Sequence, residues 1–135
     1  MRVFLLTLFA LSPLWSADGY NVYLKHCSSC HVEMMDKATT IKRFRTLKAP
    51  PMVEVSNRLR TNIVIADEDE DVHRHLVTLF IRDYIDNPEL YKTMCQPMAL
   101  ERFGVMPSLK GVLSDEEKQA VAEWIYDRYE NSAFE

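Results

Sequence analysis

The chain has 135 residues, long enough for one domain with a sizeable core and too short for two. It is 47% hydrophobic and 27% charged, the balance of a globular chain, and 20 acids against 16 Lys and Arg give a formal net charge of −4. That charge argues against nucleic acid as a partner, because phosphate binding needs a positive footprint, and no segment approaches the ~20 apolar residues needed to cross a bilayer.

Residues 1–16 read as a secretory leader. Met1-Arg2 supplies a positive start, Val3 to Leu11 is an almost unbroken apolar run, and Pro13-Leu14-Trp15-Ser16 follows, with Ser16 the small residue before the cut. Leu14 is larger than the usual occupant of its position. An uncleaved anchor is the alternative, disfavoured by the shortness of the run and by Pro13. Residues 17–135 are then a single exported domain, not membrane-spanning after cleavage, and loss of Arg2 takes its net charge to −5.

In the mature chain, Asp18 to Lys25 reads as a first helix with Asp18 as N-cap, running straight into Cys27-Ser28-Ser29-Cys30-His31. Val32 to Lys48 is a basic, mixed stretch whose helical part is read at Ile41–Phe44. Ala49-Pro50-Pro51-Met52 is extended or turning, since a proline restricts the residue before it. Val53–Arg60 forms a short helix. An acidic run, Asp67 to Asp71, then opens a helix whose apolar stripe is read as Val72, Leu76, Leu79, Phe80 and Tyr84. That helix stops near Asn87-Pro88, which caps a further turn through Tyr91. Cys95 to Gly111 reads as loop. Ser114 and Glu117 form a capping box at the start of the last helix, with Val121, Trp124, Ile125 and Tyr129 as its stripe. The expectation is an all-α fold of four to five helices.

Cys27, Cys30 and His31 carry the chemistry. Two thiols three residues apart on one turn can add to the two vinyl groups at one haem edge, and the adjacent histidine then points a ring nitrogen at the iron. Two other readings compete. A zinc site needs a second ligand pair, and downstream there are only His73, His75 and the single Cys95. A thioredoxin-type dithiol needs a strand before the pair, whereas the preceding segment reads as helix. Export favours haem, whose c-type attachment takes place outside the cytoplasm. A six-coordinate iron also needs a distal ligand, and a methionine thioether raises the reduction potential relative to a second histidine. Met106 is the best candidate: it precedes Pro107 and lies just before the last helix. Met98, eight residues earlier, is the competing thioether.

These features resemble the small class I bacterial c-type cytochromes. The resemblance rests on Cys27-Ser28-Ser29-Cys30-His31, on Met106-Pro107-Ser108-Leu109 followed by Leu113-Ser114-Asp115-Glu116-Glu117, and on Gly19 and Tyr23 standing eight and four residues before the first cysteine. It implies a cytochrome c-like fold around one haem c, with the N- and C-terminal helices crossing and Trp124 as the aromatic partner. It implies Cys27 and Cys30 as covalent anchors and His31 and Met106 as axial iron ligands. Pro50 or Pro51 would supply the carbonyl that orients the His31 imidazole. The middle of the chain, about 53 to 102, is longer than in the smallest members, and the usual glycine-rich stretch after the histidine is replaced by Val32-Glu33-Met34-Met35.

No catalytic constellation appears. With both axial positions filled, the expected role is not enzymatic: a periplasmic, monomeric carrier of single electrons between redox proteins. The alternative is a haem sensor, or a cytochrome subunit of a larger oxidoreductase, in which the methionine is labile. The acidic run is read as a solvated helix start; as a docking patch it would steer a basic partner. Cys95 is read as a buried free thiol and His26 as a bystander.

Overall fold

Helix α1 (Gly19–His26) starts where the Asp18 side chain accepts the Tyr20 amide at 3.0 Å and the Asn21 side-chain amide at 2.8 Å. In a computed structural model describing residues 17–66 and 69–135, it is followed by α2 (Lys37–Arg43), α3 (Met52–Asn62), α4 (Glu70–Asp86), a 3-10 turn (Leu90–Lys92), α5 (Pro97–Phe103) and α6 (Asp115–Asp127). No strand occurs among the described residues, so the fold is all-α. The leader, and Asp67 and Glu68 of the acidic run, lie outside them.

Helix α6 is the hub: α1, α3 and α4 all pack on it. Its capping box is complete, with the Ser114 hydroxyl accepting the Glu117 amide at 3.1 Å and the Glu117 carboxylate accepting the Ser114 amide at 2.9 Å. Ser114→Ala is therefore expected to cost about 1 kcal/mol, read as a lower denaturant midpoint at unchanged slope. The inward face of α6 is Val121, Ala122, Ile125 and Tyr126, with Tyr129 just beyond; all are at most 5% exposed. Each large apolar side chain buried this way contributes roughly 1.5–3 kcal/mol of transfer free energy.

The crossing of α1 over α6 depends on an absent side chain. A Cβ on Gly19 would lie 2.5 Å from Trp124 Cβ and closer still to the Ala120 carbonyl. One turn on, the Tyr23 ring stacks on Trp124 with centroids 4.7 Å apart. The expected helix crossing, with Gly19 and Tyr23 against Trp124, is what the chain forms.

Three expectations need correction. The inward face of α4 is Val77, Thr78, Ile81 and Ile85, whereas Val72, Leu76 and Leu79 are 48%, 39% and 43% exposed. The helix carries two apolar rows, and the β-branched row meets α6; Thr78 is tolerated there because its hydroxyl donates to the His75 carbonyl at 2.9 Å. Secondly, the 95–111 stretch is not all loop. Pro97 stands at the first position of α5, where its missing amide costs no hydrogen bond, and Gly104 at φ 69° ends the helix. The described helices therefore number six rather than four to five. Thirdly, the turn after α4 is capped by Glu89 backbone with no side-chain bond, not by Asn87-Pro88.

Candidate functional site

The cysteine motif is a continuation of α1. The amides of Cys27 and Ser28 donate to the Tyr23 carbonyl, both at 2.9 Å, and those of Cys30 and His31 donate to the Cys27 carbonyl at 3.1 and 2.9 Å. Two tight turns thus hold both thiols and the imidazole on a single segment. Cys27, Cys30 and Cys95 are all outside disulfides.

The chain after His31 is clamped by four donors. Tyr23 Oη donates to the His31 carbonyl at 2.8 Å and Tyr129 Oη to the Glu33 carbonyl at 3.1 Å. The first two amides of α3, Met52 and Val53, donate to the Val32 and Glu33 carbonyls at 2.7 and 3.2 Å. A helix start normally leaves such amides orphaned, and Pro51 at the N-cap offers no side-chain acceptor. The histidine segment takes that capping role, so α3 and the motif hold each other in place.

Pro50 and Pro51 separate here. His31 Nδ1 lies 2.8 Å from the Pro50 carbonyl, whereas Pro51 is fully buried at the head of α3 and makes no bond to the ring. Burial pushes the His31 imidazolium down, opposed by the bond to Pro50. The ring is therefore neutral at pH 7, with Nδ1–H donating to Pro50 and the Nε2 lone pair unused, the state in which an imidazole ligates a metal. Burial first, and then the neighbouring Cys30, push the Cys27 thiol up to about 11. A redox dithiol needs the opposite shift, so the thioredoxin-type reading loses its chemistry. Zinc fails as well: among the described residues no group of three or more His, Cys, Asp or Glu could hold an ion. Two thiols on one turn beside a histidine with a free Nε2 fit a haem attached through its vinyl groups.

Met106 lies half-buried between α5 and α6, on a segment tied at both ends. Upstream, Arg102 donates to the Arg45 and Leu47 carbonyls at 2.9 and 3.1 Å, and Phe103 packs edge-on against Phe44. Downstream, the Ser108 hydroxyl donates to the Asp86 carbonyl at 2.6 Å and the Leu109 amide to the Ile85 carbonyl at 2.9 Å. By contrast Met98 is 68% exposed on α5, Met34 is 48% exposed, Met52 belongs to the core, and Met94 packs half-buried against it. Sequence reasoning passed over Tyr129, Arg102 and Ser108 in these roles. Tyr129 carried only its place in an apolar stripe, and a hydroxyl that reaches across the fold leaves no local signal.

His26 Nε2 is buried without a hydrogen-bond partner on the last turn of α1. Two of the described acids of the run are used internally, Asp69 capping the Val72 amide at 3.1 Å and Glu70 accepting Tyr126 Oη at 2.5 Å, while Asp71 is exposed.

The tyrosines around the motif predict an alkaline limit to stability. Burial, then Glu33, pushes Tyr23 up to about 12; burial also raises Tyr129 and, together with the Glu70 bond, Tyr126. The fold prefers the un-ionised phenol, whereas an unfolded tyrosine ionises near pH ~10. This stability is therefore complete below about pH 10 and is lost as pH rises toward about 12. Phenolate absorbance should lag behind the free-tyrosine curve and rise together with loss of helical circular dichroism. Early, complete ionisation in an intact fold would contradict it.

Residues 16–125 match the family model described as cytochrome c oxidase, cbb3-type, subunit III. An uncharacterized protein of Aquifex aeolicus (strain VF5) is 41% identical over 149 aligned positions, which cover 98% of this chain and 91% of that protein. No solved structure matches. The motif geometry and the family match lead to one conclusion: the chain belongs to this family of c-type cytochrome domains, and is a monohaem cytochrome c with covalently bound haem c.

Proposed function

We propose that this electron carrier works in the periplasm, passing single electrons with His31 and Met106 as the axial ligands and Cys27 and Cys30 as thioether anchors. When bound, the haem supplies a one-electron iron couple. The chain's own residues set how that couple behaves. Pro50 orients the His31 ring and, by accepting Nδ1–H, strengthens Nε2 as a donor. Tyr23, Met52, Val53 and Tyr129 hold the backbone that carries the ring, which limits movement on changing charge. Arg102 and Ser108 fasten the segment that presents Met106. The observation that carries the reading is the His31–Pro50 bond, which leaves one ring nitrogen free beside two thiols.

Export is supported by the leader read at residues 1–16 and by the need to attach haem c outside the cytoplasm. A second reading, a cytochrome subunit of a larger oxidoreductase with a labile methionine, draws support from the oxidase-subunit description of the matching family. Denaturing gels stained for haem, and the ferric absorption spectrum, test the proposal. Haem retained on the gel and a weak near-infrared sulfur-to-iron band are expected. Carbon monoxide binding by the native ferrous protein at neutral pH would favour the second reading instead.

A further inference from the structure

Five of the sixteen Lys and Arg residues of this acidic chain lie within residues 37–48: Lys37, Lys42, Arg43, Arg45 and Lys48. No acid interrupts them, all five are exposed, and none forms an ion pair among the described residues. Ile41 stands among them 68% exposed. The flanking Asp36 is committed to capping α2 through the Thr39 amide at 2.8 Å. At the other end of the chain Glu135 approaches Lys37, whose amide donates to the Glu135 carbonyl at 2.9 Å. Lys42, Arg43, Arg45 and Lys48 have no such neighbour.

The stretch also has a defined place. Two residues after Lys48, the Pro50 carbonyl receives His31 Nδ1. On its other side, Arg102 bonds the Arg45 and Leu47 carbonyls, and Phe103 packs on Phe44, in the helix that leads to Met106. The basic segment therefore bridges the two arms of the site. Of the described acids at the start of α4, Asp69 is engaged in capping and Glu70 in the Tyr126 bond, while Asp71 is exposed.

We infer that Lys42, Arg43, Arg45 and Lys48 form the docking surface for an acidic redox partner, so that electrons cross at a locally positive face of a negatively charged protein. The inference rests on the carrier reading. Exposed charges that find no internal partner act by steering: they raise encounter rates with anions, and the gain fades as salt screens it.

The test is the ionic-strength dependence of electron exchange. Reduced holo-protein gives one electron to hexacyanoferrate(III), an anion, forming ferric protein and hexacyanoferrate(II). Tris(1,10-phenanthroline)cobalt(III), a cation, is the matched oxidant. Between about 10 mM and about 100 mM salt the Debye length falls from ~30 to ~10 Å. Over that range the hexacyanoferrate rate should fall about tenfold and the cobalt rate should rise. Poly-L-glutamate should inhibit the hexacyanoferrate reaction. Lys42→Glu, Arg43→Glu, Arg45→Glu and Lys48→Glu together should invert both slopes with the haem spectrum unchanged; Lys42→Gln with Arg45→Gln, a milder change, should flatten them. Slopes that follow the negative overall charge of the protein, or slopes unmoved by these substitutions, would overturn the inference. So would binding to phosphatidylglycerol vesicles that the substitutions abolish while the slopes stay put, since the surface would then serve lipid. Absence of exchange with both oxidants would instead defeat the carrier reading itself.

Discussion

Met106→Ala in the holo-protein is expected to lower the reduction potential by about 0.1 V or more, a fraction of the ~0.8 V that axial ligation can span. The ferrous protein should become able to bind carbon monoxide, while haem staining on a denaturing gel stays unchanged. The direction follows from ligand chemistry: a thioether favours the reduced iron, and its loss leaves a weaker-field position open. The size depends on how firmly the position is presented. Here the segment is fastened on both sides, by Arg102 and Phe103 before it and by Ser108 and Leu109 after it. An anchored backbone cannot readily bring another residue in to replace the lost sulfur. Met98→Ala is the control, since 68% exposure on α5 directs that thioether to solvent. If Met98→Ala changes the spectrum and potential and Met106→Ala does not, the ligand assignment is reversed. Loss of carbon monoxide binding in Met106→His, with the potential still below that of the unsubstituted protein, would show that a sixth ligand, rather than the packing around it, had been removed.

Gly19→Ala is expected to destabilise the protein by about 3 kcal/mol, the upper end of overpacking costs. Alanine would ordinarily help a helix by about 1 kcal/mol relative to glycine, so a large loss would isolate the contact with α6. The added methyl meets Trp124 Cβ at 2.5 Å and the Ala120 carbonyl more closely. A backbone carbonyl cannot be trimmed by a second substitution, so the helices must separate. Separation would also part Tyr23 from Trp124 and disturb the Tyr23 bond to the His31 carbonyl. The measurement is urea unfolding of the holo-protein, where the midpoint should fall without a change in slope. A loss below about 1 kcal/mol would mean that the crossing tolerates a side chain.

The two substitutions differ in how legible their sites were. Gly19, Tyr23 and Trp124 were legible through the resemblance to the class I c-type cytochromes, which places a glycine and an aromatic residue eight and four positions before the first cysteine against an aromatic residue of the last helix. Pro50 and Pro51 could not be told apart from sequence. Adjacent prolines impose the same local restriction, and which carbonyl meets the ring depends on where α3 begins relative to His31. On α4, two apolar rows on one helix gave the wrong stripe, and the choice between them belongs to α6.

What the amino-acid sequence determined by itself was everything carried within a turn or two of chain: the Asp18 cap, the Ser114–Glu117 box, the two thiols beside His31, and Met106 ahead of Pro107. Such signals are local because hydrogen bonds and steric limits between near neighbours act whatever the rest of the chain does. Tertiary structure alone decided which proline holds the imidazole, which face of α4 is buried, and that Arg102 and Ser108 fasten the Met106 segment. Those contacts join residues tens of positions apart. Their free energy appears only when packing on α6 has brought the elements together, and no periodicity in the sequence records it.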